Sequence, residues 1–183
     1  MKRKLLILSV LAICLATLAA GTIAYFTSEG KAHNVITTGG VEITVQEWAD
    51  EAKTAPFEDL TGVMPNTTVT KIAEIKNTGA SDAWVRVKVE KNIKLQGEGT
   101  PDTSLVDLTR SANHWTEKDG YYYYTKPLKP GEVTAPIFTA VTFNANMGNE
   151  YQNATATVDV FAQAVQTANN GATVMDAQGW PRA

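Results

Sequence analysis

Few residues of this chain could carry out catalysis. It has two histidines, His33 and His114, about 80 residues apart. A zinc peptidase usually takes two histidines within one helical turn together with a glutamate base, as in H-E-x-x-H, and this spacing does not supply them. A G-x-S-x-G nucleophile elbow and a glycine-rich phosphate loop are also absent from the sequence. The sequence therefore predicts no catalytic residue, no metal site and no cofactor.

A cluster of aromatic residues could bind a ligand. The candidate aromatic surface comprises Trp115, Tyr121, Tyr122, Tyr123 and Tyr124. Four consecutive tyrosines on a strand place two rings on each face, and Trp115 lies across the expected hairpin. Exposed rings could stack on sugars. The favoured alternative is that one face packs in the core and the other forms cross-strand pairs. Trp84 and Arg86 share one face of a neighbouring strand and could stack there.

The N-terminus predicts secretion. A basic tip at Lys2–Lys4 precedes an apolar stretch from Leu5 to Ala20, as in a secretory signal peptide. Thr22 and Ala24 form a small-x-small cleavage site, so residues 1–24 are the expected signal peptide and Tyr25 the first mature residue. The alternative is an uncleaved membrane anchor, since roughly 20 apolar residues span a bilayer.

The expected mature chain is one acidic domain without cysteine. Cleavage removes the only cysteine of the full sequence, Cys14, together with the three cations of the signal peptide. The net charge then changes from −3 for the full sequence to −6 for the mature chain. A chain of this length buries a sizeable core without disulfides. The negative charge disfavours nucleic acid as a partner, and contact with a membrane is expected only through an uncleaved signal peptide.

Hydrophobic periodicity predicts strands almost throughout. Apolar and polar residues alternate over Val41–Gln46, Val85–Glu90 and Thr155–Val165, the two-residue period of half-buried strands. Phe138–Phe143 is a β-branched and aromatic run. Turn residues separate these runs: Gly39-Gly40, Pro65-Asn66, Asn77-Thr78-Gly79, Asp119-Gly120 and Pro130-Gly131.

Two segments interrupt the strand pattern. Trp48–Leu60 and Thr100–His114 are expected to hold short helices or loops, the second with Asp102 or Thr103 as its N-cap. The fold class predicted is all-β, an antiparallel β-sandwich of jelly-roll type with short helical or loop insertions. Pattern alone leaves an immunoglobulin-like topology open. The sandwich is expected over 39–168, with 169–183 as a C-terminal loop or weak last strand.

Several motifs resemble the TasA/camelysin family of secreted Gram-positive proteins. The segment G-T-I-A-Y-F-T-S and then N-V-I-T-T-G-G-V-E-I-T-V (Asn34–Val45) is similar to the start of that family. V-M-P-N-T-T-V-T-K-I-A-E-I-K-N-T-G (Val63–Gly79) is similar to a second family block. A-W-V-R-V-K-V (Ala83–Val89) and D-G-Y-Y-Y-Y-T-K-P-L-K-P-G-E (Asp119–Glu132) resemble its clostridial branch. Together these motifs cover about half of the mature chain.

The resemblance implies a function in the extracellular matrix. It implies a jelly-roll subunit of biofilm fibres that assembles with itself and with other matrix proteins by donor-strand exchange, after processing by a SipW-type signal peptidase. The donor strand would be the N-terminal arm, 25–38, whose apolar residues are Phe26, Val35 and Ile36. The arm could equally be the first strand of its own domain, and an exchanged strand can be both.

Two other functions remain as alternatives. One is a monomeric cell-surface adhesin or glycan-binding module that uses the aromatic residues. The other is a protease, because camelysin is described as a casein-cleaving metalloprotease; the two distant histidines make this the weaker alternative. The localisation expected in every case is secreted, in the extracellular matrix or at the cell surface.

Overall fold

The described part of the chain forms an all-β sandwich with nine strands. The computed structural model describes residues 35–37, 40–58 and 65–181. The strands are β1 (Val35–Thr37), β2 (Ile43–Trp48), β3 (Thr67–Asn77), β4 (Ala83–Lys94), β5 (Val106–Arg110), β6 (Trp115–Lys118), β7 (Tyr121–Tyr124), β8 (Phe138–Phe143) and β9 (Thr155–Gln166).

The strands form two sheets. A five-stranded sheet has the order β1-β9-β4-β7-β6, and a four-stranded sheet has the order β2-β3-β8-β5. Among the described strands the pairings are antiparallel, except that β1 pairs with β9 in parallel. The predicted all-β sandwich is thus confirmed, with one parallel edge that the sequence did not indicate. Its jelly-roll form stays a prediction.

The core lies between the two sheets and follows the two-residue period. Val85 and Val87 of β4 are completely buried and Val89 packs against them at the side of the core. They face Ile75 of β3 and Phe138 of β8, which are also completely buried. The alternation predicted for Val85–Glu90 is therefore confirmed, because Arg86 and Lys88 lie on the opposite face.

The turns form where glycine and asparagine permit positive φ. Asp119 and Gly120 have φ values of 52° and 77°, as in the two-residue turn that best matches strand twist, and they join β6 to β7. Asn66 (φ 58°) and Gly131 (φ 81°) occupy two other predicted turns. Gly79 lies so close to the backbone of Glu42 that a Cβ there would be 2.6 Å from its nitrogen.

The two irregular segments differ from each other. In Trp48–Leu60, the described part through Glu58 contains no helix: Asp50 accepts hydrogen bonds from the backbone of Thr54 and Ala55 and so holds a loop. In Thr100–His114, Asp102, one of the two predicted caps, begins a 3₁₀ helix over Thr103–Leu105, and β5 follows immediately. The strand β5 was not predicted, because the whole of Thr100–His114 was expected to form a short helix or loop.

The tail is a loop rather than a strand. Over 169–181 the backbone forms turns and no strand, and it packs against the outer face of the five-stranded sheet. Of the predicted N-terminal features, only the strand over Val35–Thr37 falls in the described residues. The signal peptide, its cleavage residues Thr22, Ala24 and Tyr25, and the arm residue Phe26 lie outside them.

Candidate functional site

The aromatic residues lie on the hairpin of β6 and β7, at one edge of the five-stranded sheet. Trp115 pairs with Tyr124, and Tyr123 pairs with both Thr116 of β6 and Arg86 of β4. The tyrosines therefore alternate between the two faces of the sheet, as the period of a strand requires. The two faces bury their rings in different ways.

The inner face of this hairpin belongs to the core. Tyr124 is 7% exposed and its ring centroid lies 5.1 Å from that of Trp115. The Trp115 indole Nε1 donates to the carbonyl oxygen of Ala135 at 2.9 Å. Tyr122, also on this face, packs against the core beneath the guanidinium of Arg110, whose Cζ lies 4.8 Å from the ring centroid.

Burial affects the titration of Tyr122. Removal from water raises the pKa of its phenol, because the phenolate loses hydration. Among the charged neighbours, Arg110 acts to lower this pKa and Glu117 to raise it, and burial has the largest effect. The neutral phenol is therefore the form that the fold favours.

The outer face carries a second, smaller core. It joins Trp84, Tyr123 and Val165 of the sheet to Val174 and Ala177 of the tail. Trp84 is only 5% exposed, and its indole Nε1 donates to the carbonyl oxygen of Asn170 at 3.0 Å. A tryptophan on the outer face of a sheet is thus buried by a segment about 90 residues later in the chain.

Local hydrogen bonds shape the tail for this contact. The Asn170 side chain donates to the carbonyl oxygen of Gln178 and accepts from its backbone N–H, at 3.0 and 2.8 Å. Gly171 has a φ of 79°. A Cβ at this position would lie only 2.9–3.0 Å from backbone atoms of Asp176 and Ala177, so a larger residue would not fit. The sequence Asn-Gly therefore fixes a compact loop, which we call the C-terminal clasp (169–181).

Arg86 lies at the centre of the outer face. Its Cζ is 4.2 Å from the ring centroid of Tyr121 and 4.6 Å from that of Trp180, in the clasp. Its Nε donates to Oε1 of Gln163 at 2.7 Å, and Nη1 donates to the Tyr123 hydroxyl at 3.3 Å. The stack that the sequence allowed between Arg86 and Trp84 is thus replaced by contacts of Arg86 with other rings, and Trp84 has a structural role beneath the clasp.

The candidate aromatic surface is not an exposed row of rings. Tyr123 and Tyr124 are buried, and Trp115, Tyr121 and Tyr122 are half-buried. The reason is that core packing takes the inner face and the clasp takes much of the outer one. Gln163 and Trp180 were not predicted as partners of Arg86. The one signal in the sequence for the second contact is a tryptophan within a tail of small and polar residues.

A cluster of buried charges lies at the opposite side of the sandwich. Nζ of Lys71 is 3.1 Å from Oε1 of Glu47, both side chains are 8% exposed, and the ring centroid of Phe57 is 4.3 Å from the same Nζ. Lys71 also donates to the carbonyl oxygen of Val158 in β9. Glu74, on the other face of β3, accepts from the Trp48 indole and pairs with Lys53.

The described residues hold no cluster suited to binding a metal ion. They include no group of three or more histidine, cysteine, aspartate or glutamate residues that could hold a metal ion. His114 lies in a turn with a φ of 64°, its ring edge-on to Tyr124 at 6.2 Å, and His33 lies outside the described residues. The same described ranges contain no helix long and apolar enough to cross a bilayer.

Val35–Thr37, the described part of the N-terminal arm, pairs with the edge of β9. The backbone of Val35–Thr37 runs parallel to Ala162–Ala164, with Ile36 opposite Gln163. Gln163 is also the residue that holds Arg86. The β1 strand and the outer face thus meet at one residue of β9.

Comparisons with known proteins identify no relative. No family model matches the chain, and no curated protein and no solved structure is significantly similar to it.

Proposed function

We propose that this chain is a secreted structural subunit or accessory protein of extracellular biofilm-matrix fibres, without enzymatic activity, that assembles by donor-strand exchange. The motif resemblance to the TasA/camelysin family suggests this function, together with a jelly-roll topology and release by a SipW-type signal peptidase. The observation that carries the proposal is an asymmetry among the sheet edges: one edge receives a strand from the N-terminal arm, whereas the others carry features that oppose strand addition.

One side of the sandwich, formed by β5 and β6, is poorly suited to pairing with another chain. These strands have five and four residues, and both carry exposed charged side chains. Nη1 of Arg110 on β5 lies 3.0 Å from Oε2 of Glu117 on β6, which links the two sheets along this side. Short, charged edge strands are a common protection against edge-to-edge association.

The end of the β2 edge, at Glu47 and Trp48, is covered by the chain itself. After β2 the loop turns back, so that Trp48 forms a bridge with Pro56 and the Phe57 N–H donates to the Glu47 carbonyl oxygen at 3.0 Å. Because proline has no N–H, Pro56 cannot continue a ladder outward. This end of the β2 edge therefore also disfavours strand addition.

The β9 edge differs because it already accepts a strand. The β1 strand has three residues and pairs in parallel with β9, while β4 pairs with β9 along twelve residues on the other side. Parallel pairing is slightly less stable per residue than antiparallel pairing, and a three-residue strand forms few hydrogen bonds. Such a strand can leave its own β9 and pair with that of another copy at little net cost, since the contacts are the same.

The β1 register defines the geometry of the proposed exchange. Val35 lies opposite Ala162, so in a donated strand with the same register, positions 28–34 would lie alongside positions 155–161 of the next subunit. A longer paired strand would make the intermolecular contact stronger than the three-residue contact that each domain makes with Val35–Thr37. Repetition from one copy to the next would build an open fibre.

Deletion of the arm tests the proposal. Removal of Tyr25–Lys31 from the mature protein should abolish fibres in electron micrographs and leave a folded monomer by circular dichroism. Ile36→Pro should act in the same direction by removing a backbone donor. A synthetic peptide of residues 25–38 should inhibit polymerisation, whereas a peptide of the same composition in scrambled order should not. Fibres formed by the truncated protein at the wild-type rate would exclude donation by this arm.

A cross-linking experiment tests the register directly. The expected mature chain has no cysteine, so Ile36→Cys and Gln163→Cys can be placed in separate chains and mixed. A disulfide between the two variants under assembly conditions is expected only if the strand of one copy lies on β9 of another. Ile36→Cys mixed with Lys94→Cys is the matched control. Cross-linking that occurs only within a double-cysteine chain, and never between chains, would show that β1 stays with its own domain.

A further inference from the structure

The outer face of the five-stranded sheet presents an arginine whose orientation is fixed. Gln163, Arg86 and Tyr123 lie side by side on β9, β4 and β7. The guanidinium contacts the rings of Tyr121 and Trp180 at 4.2 and 4.6 Å, and these two rings make no ring contact with each other. Two ring contacts and two hydrogen bonds therefore hold the Arg86 guanidinium in place.

Arg86 forms no ion pair within the described part of the chain. The four pairs found there join Lys53 to Glu74, Lys71 to Glu47, Lys88 to Glu90 and Arg110 to Glu117. The hydrogen bonds of Arg86 go to neutral groups, the Gln163 amide and the Tyr123 hydroxyl. A half-buried cation held by neutral partners keeps its attraction for an anion.

Arg110 has a similar contact with a tyrosine ring but is in addition paired with a carboxylate. Its guanidinium lies over Tyr122, at 4.8 Å, as that of Arg86 lies over Tyr121. Arg110 in addition meets the Glu117 carboxylate at 3.0 Å. The two arginines thus lie on adjacent tyrosines of β7, and the one on the outer face has no carboxylate from the described residues.

Donors remain for such an anion. A guanidinium has five N–H groups. Arg86 uses Nε and one N–H of Nη1, and its Nη2 is neither buried nor hydrogen-bonded to any described residue. The Gln163 amide nitrogen likewise makes no hydrogen bond with the described residues. The free edge of a planar guanidinium matches a carboxylate with two parallel hydrogen bonds.

We propose that Arg86 is the centre of a binding site for the carboxylate of an acidic saccharide, a polymer that contains uronic acid. Beside Arg86, the rings of Tyr121 and Trp180 are half-buried, and half-exposed aromatic rings suit the apolar faces of sugar rings, which the side chain of an acidic peptide does not offer. Lys118, exposed on β6 opposite Tyr121, provides a second cation for a further carboxylate of a polymer. On this face Lys88, two residues from Arg86, pairs with Glu90. The Glu90 carboxylate would repel an anion, so it limits the site on that side.

The clasp is part of this site. Trp180 supplies one of the two rings that orient Arg86, and it is held by the packing of Val174 and Ala177 on the sheet. The site is complete within one copy of the chain. It therefore does not depend on strand exchange, and a monomer that never forms fibres should still bind the saccharide.

Binding is tested with a defined oligosaccharide. Oligogalacturonate titrated into the mature protein should quench or shift the tryptophan fluorescence, and the same oligomer as its methyl ester should not bind, because it lacks the charge. Arg86→Lys keeps the charge but loses the planar fork, and should weaken binding about tenfold or more, since a paired guanidinium–carboxylate contact is worth at least about 1.4 kcal/mol. Lys94→Gln, on the same strand at a distance, should bind as the wild type does.

A second measurement covers the case in which the Arg86 variant does not fold. In the wild-type protein, oligogalacturonate should shift the NMR signals of the Arg86 Nε–H and the Trp180 indole before those of other residues. Wild-type affinity in a folded Arg86→Lys variant, equal binding of the methyl ester, or unchanged Arg86 and Trp180 signals would each overturn the proposal. Binding of poly-glutamate without binding of oligogalacturonate would also overturn it and would identify an acidic peptide as the partner.

Discussion

The two faces of the five-stranded sheet use alternate residues of the same strands for different purposes. On β4, Val85 and Val87 point toward the other sheet and are completely buried in the main core. Trp84 and Arg86 point away from it, and a segment far along the chain covers Trp84. One face is thus buried by the sandwich itself, and the C-terminal clasp covers the part of the other face around Trp84.

The inner face of the sheet serves packing, whereas the outer face also has a group that could bind a ligand. The inner face is apolar, and its stability depends on filling the space between two sheets. The outer face combines a small apolar cluster with a cation, Arg86, that is oriented but not neutralised by the described residues. A sandwich can therefore fold through its inner face while the outer face stays available for a ligand.

The largest effect is expected on the inner face. Val87→Asp should lower the free energy of unfolding by about 4 kcal/mol or more, because it places an unpaired carboxylate among completely buried apolar side chains. Lys88→Asp is the matched control on the adjacent outer position, where the side chain is 43% exposed, and should cost less than about 1 kcal/mol. Urea denaturation of both variants measures the difference. Equal losses would contradict the assignment of the two faces.

A smaller but still large effect is expected where the clasp meets the sheet. Trp84→Ala should cost about 3 kcal/mol, because it removes a large buried ring and leaves the clasp without its main apolar contact. Met175→Ala, at a clasp residue that is 37% exposed, should change the stability by less than about 0.5 kcal/mol. If Trp84→Ala were as mild as Met175→Ala in thermal or urea unfolding, the outer cluster would contribute nothing to the fold.

The inner face could be predicted from the sequence because its signal is local. Alternation in Val85–Glu90, the run Phe138–Phe143 and the Asp119-Gly120 turn each indicate structure through residues next to one another. The cap at Asp102 was likewise visible, since its side chain accepts from the Ser104 N–H two residues later. These features depend on backbone geometry that a short stretch of chain determines.

The outer face could not be predicted because its contacts join distant segments. Trp180 and Arg86 are separated by more than 90 positions, and no periodic pattern links a loop to a sheet face. The parallel pairing of β1 with β9 is hidden for the same reason, since three residues carry no recognisable period. The candidate site at Arg86 is therefore formed only in the folded chain, where the clasp, β4, β7 and β9 come together.

The hydrogen bond that orients Arg86 should have a moderate effect. Gln163→Met keeps the length of a side chain that is 5% exposed but removes the acceptor for the Arg86 Nε–H, and should cost about 1–2 kcal/mol. Gln166→Met, at the end of β9, is the control and should be nearly neutral. Gln163→Met, unlike the control, should also loosen Trp180, which NMR of the indole would detect. An unchanged stability together with an unchanged indole signal would mean that the rings alone hold the guanidinium.

The smallest effect concerns the inner and outer tyrosines of β7 at alkaline pH. Burial raises the pKa of Tyr122 above its ordinary value, so the unfolded chain loses this proton first. The corresponding stability is fully present below about pH 10, where the unfolded phenol titrates, and is lost as the pH rises through the folded pKa. Tyr122→Phe should therefore make the alkaline fall in the free energy of unfolding shallower. Tyr121→Phe, on the outer face, leaves Tyr122 in place and should keep the steeper fall. Parallel urea titrations at pH 8 to 11 compare the two variants, and identical slopes would show that the inner face does not keep Tyr122 from water.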